Sequence, residues 1–372
     1  MGVIAAGTAL ATLVAVEPAF AADTTVVPTA RSGPSSGLTA VSLLSATDGW
    51  AVGGTSQNGL TERYNGSSFA IVPSADLLAH HGTISNTAGL TGVAAISRTN
   101  AIAVGSALTV GPGTVESAVA ERWNGSSWTR TTVPNPGSNN ALNAVAATSA
   151  TDAWAVGTSK PGVTTLPFAV HWNGSAWTQA ATPAPGTQAN AFNGVAGTSA
   201  HDVWAVGYAQ DLPSSNPVKH SLIEHWNGST WSRVPSPDFA TGNQTTELTA
   251  VAAVSPTNAW AVGNGTASTT GAVLLHWDGL MWKKLAVPAD QVGGVTANGC
   301  DVWLAGSIAG NPVILRLHGS TWTVVNATTP SLGSQITLSG IAPNGSNGVI
   351  ALGSSHSIIN SGSEPIAVGV TP

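Results

Sequence analysis

Every tryptophan in this chain falls on a repeat. The 14 residues occupy recurring positions of a two-part motif, and none lies elsewhere. The first part reads Leu-x-Ala-Val-Ala-x-x-Ser-x-x-Asp-x-Trp-Ala-Val-Gly, as in Leu142–Gly157. The second reads His-Trp-Asn-Gly-Ser-x-Trp and runs into prolines, as in His171–Pro185. The position of the first tryptophan recurs at Trp50, Ile102, Trp154, Trp204, Trp260, Trp303 and Ile350, at spacings of 52, 52, 50, 56, 43 and 47 residues. A unit of this length cannot bury an apolar face alone, so neighbouring copies must stack.

Each copy reads as four strands. The first is an apolar run such as Leu248–Val254, expected to be buried on both faces. The second is Trp-Ala-Val-Gly, the third ends in His-Trp, and the fourth starts at the next Trp and stops at prolines, which cannot donate to a ladder. Ser-x-x-Asp joins the first two strands by a turn with side-chain-to-backbone hydrogen bonds. Asn-Gly joins the last two and predicts a type I′ hairpin. Four strands per period of about 50 residues predict an all-β, seven-bladed β-propeller of four-stranded blades. The seventh copy lacks its outer strand. Thr24-Thr25-Val26-Val27-Pro28 matches Thr131-Thr132-Val133-Pro134 of the second copy, so the N-terminal strand is expected to complete the last blade and remove an open edge.

Charged residues make up only 8% of the chain and the net charge is −6. This excludes the basic footprint of a nucleic-acid binder. Val3–Val16 is apolar, Pro18 ends the run, and Ala19-Phe20-Ala21 is a small-x-small cleavage site. Residues 1–21 are therefore expected to be a signal peptide and 22–372 a single secreted, extracellular domain. Its n-region lacks Lys and Arg. No later stretch is apolar enough for a membrane-spanning helix. Cys300 is the only cysteine and cannot form an internal disulfide.

The Asn-Gly-Ser-x-Trp hairpin resembles the Asp-box (BNR) of sialidase-type and photosystem-assembly-factor-like propellers. The whole repeat is similar to secreted bacterial propellers related to kelch proteins. The acidic position of the box is Asn65, Asn124, Asn173 and Asn227 here, with Asp278 retaining the acid and His318 departing from both. The resemblance implies a fold and leaves function open, because one propeller fold hosts many activities. In the family these boxes are structural.

A basic column precedes the third-strand Trp: Arg63, Arg122, His171, His225, His276 and Arg316. Opposite it stand Asp48, Asn100, Asp152, Asp202, Asn258, Asp301 and Asn347. Members of such columns come from different blades and do not converge on one ion, so they are read as hydrogen-bond partners within a blade. No metal and no cofactor are expected. His80-His81 is read as a solvated loop pair.

The two short connections of every copy share one end of the stack, and the long variable ones share the other. Binding residues are expected on the long-loop face. The ligand-binding candidates are Asn140, Asn190, Tyr208, Asp211, Asp238, Glu247 and Gln291. Asn143, Asn193, Thr249, Gln335, Lys219 and His220 lie near them. Amides donate and accept, which suits hydroxyl-rich ligands. The expected function is a binding module, monomeric, for carbohydrate or an extracellular protein. The alternative is a carbohydrate-active hydrolase or lyase, in which Glu247 would pair with Asp211 or Asp238. A sialidase is disfavoured because six of the seven arginines sit on strands and short turns, leaving only Arg31, near the N-terminal strand, for the long-loop face.

Overall fold

A computed structural model describes residues 16–17, 23–30, 35–55, 57–78, 87–110, 113–211, 218–237, 245–266, 271–328, 334–346, 348–357 and 363–371. Asp238, His80, His81, Asn347 and the Ala19–Ala21 cleavage site lie outside them. The described residues form strands and turns, with no helix among them.

Each sequence repeat folds as an antiparallel meander. The third repeat shows the pattern: Asn140–Ser149, Asp152–Ser159, Leu166–Trp172 and Trp177–Ala180 pair in chain order. The repeats starting at Ala189 and Thr246 form separate four-stranded sheets of the same order. The first two repeats share one sheet through a single bridge between Gly54 and Gly89. The repeat from Gln291 carries Val16–Glu17 as an extra parallel edge strand. In the last repeat, Ser363–Thr371 pairs with Asp23–Val26 from the other end of the chain, Thr25 opposite Gly369. The amide of Val27 extends this contact to the Ala367 carbonyl at 2.9 Å. The N-terminal segment thus caps an edge that would otherwise present unpaired backbone groups.

The innermost strands surround a narrow axial channel of about 220 Å³, to which every repeat contributes three residues, from Thr39–Val41 through Asn143–Val145 to Ser339–Ile341. These strands alternate buried and half-buried positions, whereas the second strands are buried almost throughout. The expectation that the first strand is buried on both faces is therefore corrected: one side faces the channel, which explains its Ala, Gly and Thr content.

A β-bulge interrupts every inner strand at the channel, for example between Leu142 and Ala144. It explains the glycine of Trp-Ala-Val-Gly. A Cβ on Gly157 would stand 2.1 Å from the Ala141 carbonyl oxygen, and on Gly207 2.0 Å from that of Ala191. The same close approach recurs at Gly53, Gly105, Gly263, Gly306 and Gly353. Only hydrogen fits.

In five of the seven repeats the bulged residue also ties one unit to the next, while Thr249 donates to Val262 of its own unit. Thr39 donates to the Leu90 carbonyl (2.8 Å), Thr91 to Leu142 (2.6 Å), Asn143 to Phe192 (2.8 Å) and Asn193 to Leu248 (2.8 Å). Ser339 of the last repeat reaches Thr39 of the first at 3.4 Å. Tryptophans cement the same joints. Trp154 packs against Trp226 and Trp231 of the next unit at 4.7 and 5.1 Å between ring centroids, and Trp204 against Trp277 and Trp282 at 5.0 and 5.1 Å. Such rings supply large buried areas.

The hairpin between the outer strands differs from expectation. Trp172 pairs with Trp177, leaving four loop residues rather than two. Among residues 173–176 only Gly174 has positive φ, at 96°. The Asn173 side-chain oxygen instead accepts the amides of Ser175 and Ala176 at 3.0 and 2.9 Å. Asparagine is wanted here as a side-chain cap, not for a left-handed backbone.

Candidate functional site

The register of each meander puts the Ser-x-x-Asp and Asn-Gly-Ser turns at one end. The connections between second and third strands, and between repeats, lie at the other. At the short-turn end the basic and acidic columns pair within units. Arg63 meets Asp48 (3.1 Å), Arg122 meets Asn100 (3.1 Å), and His171 and His225 meet Asp152 and Asp202 (2.6 Å each). His276 meets Asn258 at 3.1 Å and Arg316 meets Asp301 at 2.7 Å. His276 also stacks on Trp260 at 4.1 Å, and this burial lowers its pKa. These polar groups are consumed in holding strands together. Cys300 is exposed and free in the turn between Asn298 and Asp301.

The long-loop face divides the candidate residues into three sets. Asn140 and Asn190 are withdrawn from solvent, at 1% and 0% exposure. The Asn140 amide donates to the Gly137 carbonyl (2.7 Å) and its oxygen accepts the Gly137 amide (3.2 Å); Asn190 does the same with Gly186 (2.8 and 2.7 Å). They clamp the connection entering each unit, so both amides are spent inside the fold. Asp211 is exposed, and one of its oxygens accepts the amide and hydroxyl of Thr187 at 2.9 and 3.2 Å.

Tyr208 and Glu247 meet at the joint between the fourth and fifth repeats, through Lys219. The Lys219 ammonium lies 4.0 Å from the centre of the Tyr208 ring and 2.5 Å from Glu247 Oε2. The Asn193 amide donates to Glu247 Oε1 at 3.1 Å and to the Leu248 carbonyl at 2.8 Å. Tyr208 stands on Asp202–Gln210, Lys219 opens Lys219–Trp226, and Glu247 lies on Thr246–Ser255. Three strands of two units thus hold an aromatic ring, a cation and an anion in one cluster. The charges are about one-third exposed, within reach of a ligand. The role of Lys219 as the hinge of this cluster was not legible from its loop position.

Gln291 is set apart, in a cleft between the sixth and seventh repeats that also contains Gln335. Buried carboxylates were not anticipated. Glu62, Glu121 and Glu224 each precede the basic column, and all are 0% exposed. Glu62 accepts the Ala30 amide and Glu121 those of Ser74 hydroxyl and Ala75 amide. Burial raises Glu62 and Glu121 to about 7 and Glu224 to about 8, with Arg233 partly opposing it at Glu224. No group of three or more His, Cys, Asp or Glu suited to a metal ion occurs among the described residues. No described helix is long and apolar enough to cross a membrane.

No family model and no curated protein matches the sequence. Solved structures do match the fold. A structure titled YCF48 bound to D1 peptide aligns over 97% of this chain and 98% of its own, at 14% identity and a TM-score of 0.58. A polysaccharide lyase of family PL25, an ulvan lyase bound to a GlcA-Rha3S saccharide, aligns over 90% and 95%, at 10% identity and 0.56. A Dyadobacter fermentans protein of unknown function aligns over 93% and 97%, at 10% and 0.54. The structural neighbours are β-propeller proteins, and this chain has their all-β architecture of four-stranded antiparallel sheets.

Proposed function

We propose that the chain is a secreted, seven-bladed β-propeller, its last blade closed by the N-terminal strand, acting as a binding module. The ligand is a carbohydrate or an extracellular protein, held on the long-loop face. The Tyr208–Lys219–Glu247 cluster carries this reading. It combines an aromatic ring with donors and acceptors, held by three strands of two units, on the face where connections vary. The opposite face uses its polar groups in pairs within units and between adjacent ones. The seven repeats, the axial channel lined by all of them and the Ser339–Thr39 contact support a closed ring of seven. Export is supported by the apolar run ending at Ala19-Phe20-Ala21; N-terminal sequencing of chain recovered from the culture medium should begin at Ala22.

The binding test uses the mature chain on arrayed glycans and polysaccharides, followed by pull-downs from the secreted fraction. Ligand capture that falls about tenfold or more in the Tyr208→Ala and Lys219→Ala variants supports the site. Indifference of every captured ligand to both variants overturns it.

A further inference from the structure

The joint between the sixth and seventh repeats departs from the others in two independent ways. The first concerns the tether. The bulge position that carries Thr, Asn or Ser in the other repeats is Gly293 here. A Cβ at Gly293 would stand 2.6 Å from the Leu338 carbonyl oxygen, so the two inner strands approach backbone to backbone with no side chain between them. The second concerns the rim. The connection from Asp301–Ile308 to Asn311–His318 is only Ala309 and Gly310, with φ of 49° and 77°, a type I′ pattern. Elsewhere the same connection is longer, as in 160–165 between Asp152–Ser159 and Leu166–Trp172. The Asp290 carboxylate fastens the short turn by accepting the Ala309 amide.

A missing tether and a lowered rim together leave a cleft of about 310 Å³. Its floor is apolar, from Val292 and Ile336. Its walls carry the amides of Gln291 and Gln335 and the hydroxyls of Ser307 and Thr337. Nothing among the described residues hydrogen-bonds these four side chains. Asn264, at one end, is already spent: its amide and oxygen bind the Val292 carbonyl and amide at 2.8 and 3.0 Å, which stiffens that wall.

We infer that this cleft binds one neutral sugar ring, a pyranose unit free of carboxylate, sulfate or phosphate. The lining bears no charge, so it offers nothing to an anionic group. It bears no aromatic ring, so it offers no platform for a nucleobase. Amides and hydroxyls both donate and accept, as sugar hydroxyls do, and two glutamines from facing strands can each span adjacent hydroxyls. The apolar floor suits the C–H face of a ring, and the volume lies at the lower end of small-molecule pockets. The inference shares with the proposed function the premise that the long-loop face binds, but it places a second, separate site there.

The test is saturation-transfer NMR on the mature chain with methyl pyranosides of gluco, galacto, manno and N-acetylglucosamine configuration, and methyl glucuronide as the charged control. The expected result is transfer from at least one neutral glycoside and none from the glucuronide. Gln291→Ala combined with Gln335→Ala should weaken that binding about tenfold. Thr337→Trp, which fills the cleft from an exposed position, should abolish it with an unchanged thermal melt. Tyr208→Ala should leave it intact. The inference is overturned if no neutral glycoside shows transfer, if the glucuronide is preferred, or if binding survives Thr337→Trp. Loss in Tyr208→Ala alone would assign the sugar to the cluster between the fourth and fifth repeats and overturn the cleft while supporting the proposed function.

Discussion

At the scale of single residues, two kinds of burial behave in opposite ways. The glycine of Trp-Ala-Val-Gly is required by contact. Gly157→Ala should cost about 3 kcal/mol or more, because a methyl group 2.1 Å from a carbonyl oxygen forces the bulge apart; urea unfolding measures it. The buried glutamates impose a pH dependence instead. Glu62, Glu121 and Glu224 titrate near 7 to 8 in the fold, against about 4.3 in an unfolded chain. Between these values the folded state holds protons that the unfolded state has lost, so stability falls as pH rises. The contribution is full below about pH 4 and gone above about pH 8. The melting temperature should therefore be higher near pH 5 than near pH 8.5, and Glu224→Gln should flatten the slope. An unchanged slope in that variant would show that Glu224 is ionised in the fold. The glycines and tryptophans were legible because they recur. The glutamates were not, because Glu next to a basic residue on a strand reads as a solvated pair. Only packing against the neighbouring unit reveals an apolar position.

At the scale of elements, the informative contacts are those that join units. The N-terminal strand was legible as the missing outer strand, since Thr24–Pro28 repeats the chemistry of an outer strand elsewhere. Its pairing with Ser363–Thr371 follows. Deleting residues 1–30 should lower the melting temperature and promote association through the bared edge of Ser363–Thr371, seen as a concentration-dependent shift in light scattering. Cutting after Ala21 should do neither, because Val16–Glu17 only adds a parallel edge to a sheet already four strands wide. The bulge tethers were invisible in the sequence. Asn143 and Asn193 read in sequence as mouth-lining polar residues, yet the structure spends them, like Thr39 and Thr91, on carbonyls of the next unit.

At the scale of the molecule, polar chemistry is sorted between two ends. The short-turn end spends its charges on pairs within a unit or, as for Arg98 with Asp48, between adjacent units, and the long-loop end leaves a charged cluster and a neutral cleft within reach of solvent. Cys300, exposed on a short turn, offers a direct check. Coupling a bulky maleimide polymer there should leave ligand capture unchanged, as measured on the array before and after labelling. Loss of capture would move the binding surface to the short-turn end.

The repeat by itself determined the strand order, the buried tryptophans, the columns that pair within each unit and the end of the stack where variation collects. Those features are local or periodic, so a linear pattern encodes them. Which polar residues remain available was decided by the tertiary structure. Asn140 and Asn190 look like ligand contacts in sequence but close on Gly137 and Gly186. Lys219 becomes a hinge only because the next unit brings Glu247 beside it. The cleft at Gln291 lies at the joint where the bulge residue is Gly293 and the rim connection is only Ala309 and Gly310. Hydrogen-bond capacity is a property of a residue, but whether it is already spent depends on neighbours some 50 residues away.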